Sequence, residues 1–197
     1  ALADARRTRL PIPGRTSFRT MAVPISTIYD NFSGGRTDPA AIRNFLRGAF
    51  FSWSVRPTFV TFVGDASYDY KNIPGRASPG QPGRLLPTYE NGFDAAVMRQ
   101  YATDDWLLNV DDPGSVVPDF YGGRLPVDDE PTALALVNGK ILAYETEAPI
   151  AEYRNQVLLL ADDDTQGDIR CDRLNWTHVF QTDDLAKRVP LHMDREY

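Results

Sequence analysis

The sequence predicts an α/β fold built around a mainly parallel sheet. Asp38-Pro39 opens a helix, with Asp38 as N-cap and Pro39 where a missing N–H costs nothing. Behind it Ile42, Phe45, Leu46, Ala49, Phe50 and Trp53 recur at helical spacing, so one face must bury. The run Thr58-Phe-Val-Thr-Phe-Val63 then offers a β-branched or aromatic residue at every position, as in a strand covered on both faces. Before the helix, Val23, Ile25 and Ile28 alternate with polar partners across residues 23–32, which suits another strand. Strand, helix and strand in that order make a βαβ unit.

The remaining elements follow in chain order. Residues 1–20 are polar and basic, with Pro11 and Pro13, and read as a loosely held leader. Residues 71–92 are rich in Gly and Pro without periodicity, which predicts a long loop. Residues 101–110 form a short aromatic and acidic segment. Pro118-Asp-Phe-Tyr-Gly122 predicts a strand that Gly123-Arg-Leu-Pro126 ends. Residues 129–147 predict a second helix, with Ala133, Leu136, Val137, Ile141 and Tyr144 as its stripe and Gly139 as a local weakness. Residues 157–161 predict a buried strand, and residues 171–187 a last helix.

Composition limits the function. Of 197 residues, 42% are hydrophobic, enough for a large core. The net charge of −6 disfavours a domain-wide attraction to nucleic acid or an anionic membrane, because both need a cationic face. No apolar run is long enough to span a bilayer. The single cysteine, Cys171, forbids an intrachain disulfide. The chain does not begin with Met and ends at Tyr197 without a stop to its last element, so it reads as a segment of a longer polypeptide.

Blocks in a fixed order carry a family resemblance. They are Phe62-Val-Gly-Asp-Ala-Ser-Tyr-Asp-Tyr-Lys-Asn72, Pro87-Thr-Tyr-Glu90 with Ala102-Thr-Asp-Asp-Trp106, Asp119-Phe-Tyr-Gly-Gly-Arg-Leu-Pro-Val127, and Lys140-Ile-Leu-Ala-Tyr-Glu145. Together they resemble the gingipain-like cysteine peptidases, a group that includes PorU-type surface sortases of type IX secretion. The resemblance implies a caspase-like, three-layer α/β/α sandwich of two subdomains. Residues 1–20 would be a leader or linker, 21–150 the non-catalytic subdomain, and 151–197 the opening of the catalytic one. It implies an extracellular or cell-surface protein whose partners are the rest of its own polypeptide and a protein substrate. The family's histidine in a Gly-His-Gly-like turn and its strand-ending cysteine have no counterpart here. The cutting residues are therefore expected beyond Tyr197, with no catalytic residue and no cofactor for chemistry in this chain. A sortase fragment and a cation-binding module without peptidase activity are the competing readings.

Cys171 and His178 are the obvious thiol and imidazole. On one helix, i and i+7 stand two turns apart, about 10 Å along the axis. That is too far for a hydrogen bond. Gly64-Asp65 ends a predicted strand, where open sheets gather functional loops. Asp65 with Asp69, Asp104 and Asp105 could hold a structural calcium, which takes several carboxylate oxygens. The alternative, and the favoured one, is that Asp65 caps amides of the following turn. Gly122-Gly123-Arg124 lacks the spacing of a phosphate-binding loop. Arg124 is expected to pair with a buried acid, Asp65 or Asp105. Asp162, Asp163 and Asp164 read as an exposed turn, and Trp53, Trp106 and Tyr68 as packing residues.

Overall fold

The computed structural model describes residues 1–9, 14, 17–67, 69–71, 86–90, 101–112, 114–115, 117–146, 151–161, 165–166, 169–170 and 178–196. They divide into two compact units, Ala1–Thr146 and Glu147–Tyr197.

The first unit begins with helix α1, Leu2–Thr8, a segment without an apolar stripe. Ionic contacts hold it. Arg6 grips Glu145 through Nη1 and Nη2 at 2.8 and 2.5 Å, and Arg9 adds a longer contact of 3.4 Å. Residues 23–32, expected as a strand, instead carry helix α2, Ile25–Phe32. Ile25, Ile28, Tyr29 and Phe32 sit at i, i+3, i+4 and i+7, so a helical stripe outweighs the short alternation. Ile28 and Tyr29 are buried. The helix stops where Gly34 and Gly35 take φ of 64° and 80°, the left-handed region that glycine enters without strain.

Helix α3, Pro39–Ser52, starts as its sequence requires, with the Asp38 carboxylate accepting the Ala40 N–H at 2.8 Å. Ala41, Ile42, Leu46 and Ala49 form its buried face. Trp53 lies just past the end, 39% exposed, and packs edge-on against Phe45 with ring centres 6.0 Å apart.

Strand β1, Phe59–Val63, follows. Strands β2, Tyr89–Glu90, and β3, Ala102–Thr103, form a short antiparallel pair. Helix α4, Asp105–Leu108, leads towards β4, Tyr121–Leu125. Gly123, expected to end this last strand, lies inside it. Strands β1 and β4 are parallel, in register from Phe59 opposite Tyr121 to Val63 opposite Leu125. The parallel pair and its helices make this an α/β fold.

Only one face of β1 is covered by the core. Phe62 packs with Ile28, Tyr29, Ile42, Leu46, Leu107, Leu108, Val110 and Phe120. Phe59 and Val63, pointing the other way, are about half exposed, at 50% and 52%. The expectation of burial on both faces is thus corrected: α2, α3 and α4 all supply core residues on the Phe62 side. Each fully buried side chain there contributes about 1.5–3 kcal/mol. A Cβ added at Gly122 would lie 2.9 Å from Leu108 Cδ2 and closer still to Cδ1, so any side chain here would have to displace Leu108.

The expected second helix forms as α5, Glu130–Ala135, a π-helical stretch Leu136–Leu142, and α6, Ala143–Thr146. Asp129 caps it by accepting the Thr132 N–H at 2.8 Å. Of the predicted stripe only Val137 is buried, and Tyr144 is exposed.

In the second unit, a 3-10 turn at Glu152–Asn155 precedes β5, Gln156–Leu158. Strands β6, Thr165–Gln166, and β7, Ile169–Arg170, make a hairpin. Helix α7, His178–Ala186, leads to β8, Asp194–Glu196, which pairs in parallel with β5. The strand expected to be buried is shorter and exposed. Leu158 and Leu160 are 63% and 80% accessible, because β8 is its one strand partner among the described residues. The last helix is described from His178, and Cys171 lies outside the described residues, as does the two-turn geometry expected for Cys171 and His178.

Candidate functional site

The best-organised polar cluster stands at the carboxyl ends of β1 and β4. Parallel pairing runs past the strands: the Gly64 N–H donates to Leu125 O and the Asp65 N–H to Val127 O, each at 3.0 Å. Gly64 has φ of 147°, and a Cβ there would meet Leu86 at 3.1 Å. Both the backbone conformation and the close approach of Leu86 therefore demand glycine.

Arg124, opposite Phe62 in the register, is the centre of the cluster. Its Nε and Nη2 donate to the two Asp104 oxygens at 2.8 and 2.7 Å, the bidentate fork that suits a carboxylate. Nη1 donates to Gly64 O and Leu86 O, both at 2.8 Å, and Nη2 also reaches Pro87 O at 3.5 Å. All five guanidinium hydrogens thus have acceptors. The group lies over the Phe62 ring, 5.4 Å from its centre.

Around this centre, other groups fix the chain. The Thr103 hydroxyl, not Asp104, accepts the Asp105 N–H at the start of α4, at 3.1 Å. Asp119 accepts the amides of Val110 and Asp111 at 2.7 and 3.0 Å. Trp106 stacks on Tyr89 at 4.1 Å and carries the Arg43 guanidinium on its ring, 4.9 Å from the centre. Arg43 Nε also donates to Trp106 O and Asn109 O. Burial drives the Tyr29 hydroxyl well above the usual phenol range. Asp38 and Tyr70 push the same way, while the Arg124 charge opposes them.

The residues singled out in the sequence do not converge. Asp65 accepts the adjacent Ala66 N–H at 2.8 Å, the local turn role. Asp69 donates its amide to the Ser67 hydroxyl at 3.2 Å. Asp104 gives both oxygens to Arg124, and Asp105 is exposed. Among the described residues no group of three or more His, Cys, Asp or Glu side chains is placed to share a metal ion. Arg124 pairs with an acid as expected, but with Asp104 rather than Asp65 or Asp105. Gly122-Gly123 lies within a strand, not in a phosphate loop. Trp106 is a stacking residue. His178 opens α7, and His192 is exposed in a turn. Tyr68 and residues 162–164 lie outside the described residues.

An α/β domain with its polar framework gathered at parallel strand ends is the class this architecture defines. The chain belongs to peptidase family C25, the gingipain family of cysteine peptidases, whose family profile matches residues 1–196. No curated protein and no solved structure matches it significantly. Among the described residues no helix is long and apolar enough to cross a membrane.

Proposed function

We propose that this chain is the scaffold portion of a secreted C25 cysteine endopeptidase, with the cutting thiol and imidazole supplied by other residues of the parent polypeptide. Membership of the family across residues 1–196 supports the peptidase reading. The observation that carries the division of labour is the sequence context of the sole cysteine, Cys171, in Arg-Cys-Asp, and of both histidines, in Thr-His-Val and Leu-His-Met. None resembles the Gly-His-Gly turn or strand-ending cysteine of the family. At the strand ends of β1 and β4, Arg124 and Asp104 are committed to each other and to backbone carbonyls, which suits support rather than chemistry. The caspase-like sandwich, with a second subdomain opening in residues 151–197, is part of the same reading, as is an extracellular or cell-surface site of action.

The test is hydrolysis of fluorescent casein under reducing conditions. This chain is expected to be inactive, while the parent polypeptide cleaves, is blocked by iodoacetamide, and stays active as Cys171→Ser. Cleavage by this chain that Cys171→Ser or His178→Ala abolishes would overturn the proposal.

A further inference from the structure

We infer that Arg124 is a positioning residue that, with Asp104, clamps the two ends of a long excursion of the chain onto the carboxyl ends of β1 and β4. The clamp makes that surface a preformed one. The described chain leaves the sheet at Gly64 and Asp65, returns at Leu86 and Pro87, and enters α4 through Asp104. Arg124 binds at each of these places: Gly64 O, Leu86 O, Pro87 O and both Asp104 carboxylate oxygens. One side chain from the carboxyl end of β4 thus joins points 60, 38, 37 and 20 residues away in sequence.

The geometry requires arginine. A lysine would offer three rotatable donors on one nitrogen and could not address a carboxylate fork and opposed carbonyls together. The Arg124 and Asp104 side chains are largely shielded, at 13% and 23% exposure, so the pair is less screened than a surface bridge. Neighbours reinforce the same place. The backbone approach of Gly64 to Leu86 leaves no room for a Cβ, and the stack of Tyr89 on Trp106 ties β2 to α4 immediately beside the clamp. The α3 contacts through Ile42 and Leu46 belong to the apolar core and do not use Arg124. The clamp is therefore separable from the fold's main stability. It goes beyond the peptidase reading and is tested without any measure of activity, so either can fail alone.

The experiment is amide hydrogen exchange on this 197-residue chain as wild type, Arg124→Lys, Asp104→Asn and the double variant, with a urea midpoint for each. In each single variant, amides in residues 86–90 and 102–108 are expected to exchange about tenfold faster or more. Amides of α3 should keep their protection. The double variant should be no worse than the worse single one, because both remove the same interaction. Unchanged exchange at 86–90 and 102–108 in Arg124→Lys would overturn the clamp. So would equal loss across α3 in both single variants, which would make the pair a determinant of the fold rather than of position.

Discussion

Two adjacent glycines in β4 offer a sharp test of the packing, because strand alternation points them to opposite faces. Gly122 faces Leu108, and an added Cβ would lie 2.9 Å from Leu108 Cδ2 and closer still to Cδ1. Gly123 has no heavy atom within 4 Å of the same construction. Neither glycine has a positive φ, so a change to alanine carries no left-handed backbone penalty at either site. Gly122→Ala then tests overpacking alone. Leu108 is 4% exposed and sits in the core cluster with Leu107, Val110 and Phe120, so it cannot retreat without moving them. Overpacking of this kind costs about 1–3 kcal/mol. Gly123→Ala should instead be neutral or stabilising by about 0.4–1 kcal/mol, because it narrows the unfolded ensemble without a clash. Urea unfolding with an unchanged m-value reads both. Gly122→Ala combined with Leu108→Ala should lose less than the two single losses added together, since the smaller side chain removes the clash. Equal effects at 122 and 123, or strict additivity with Leu108→Ala, would refute the assigned facing of β4.

Two further outcomes follow from the ionic contacts. Hydrogen bonding from Arg6, with help from its charge and from Arg9, holds the Glu145 carboxyl below its ordinary 4.5 despite some desolvation. A depressed folded-state value means stability that is present above pH 4.5 and lost as pH falls through the folded value. Glu145→Gln should therefore flatten the acid limb of a melting-temperature profile, and a parallel profile would show that the contact does not form. For calcium at about 1 mM, in the range of extracellular sites, no rise in melting temperature is expected. A rise abolished by Asp65→Ala would restore the aspartates as ligands.

The sequence announced those elements whose signals are local. Asp38-Pro39 and the stripe behind it gave α3 nearly to the residue, because cap and burial lie within one segment. The β-branched run gave β1. It could not say which face would be open, since that depends on where α2, α3 and α4 gather. Helix α2 reads as a strand because Val23 and Ile25 are spaced two apart, while Ile25 and Ile28 are already at helical spacing. Tyr29 and Phe32 decide in favour of the helix only once the core is known. Helix α1 has only a slight local signal, Asp4 in its first turn and Arg6 and Arg7 in its last; its anchor, Glu145, is 139 residues from Arg6. At the candidate site, Arg124 was recognised as needing an acid. The choice among Asp65, Asp104 and Asp105 turned on the start of α4, where one residue's step rotates a side chain by about 100°.

The π-helical stretch Leu136–Leu142 has a consequence for that same anchor. A wider turn sets the phase between α5, whose start is fixed by the Asp129 cap, and α6, which carries Glu145. It works as a spacer in angle rather than in length. Wound as an ordinary α-helix, the same residues would swing Glu145 about 100° around its axis. The amino-terminal helix would then face a different side of α6, so a wide turn far from α1 in sequence keeps its anchor within reach.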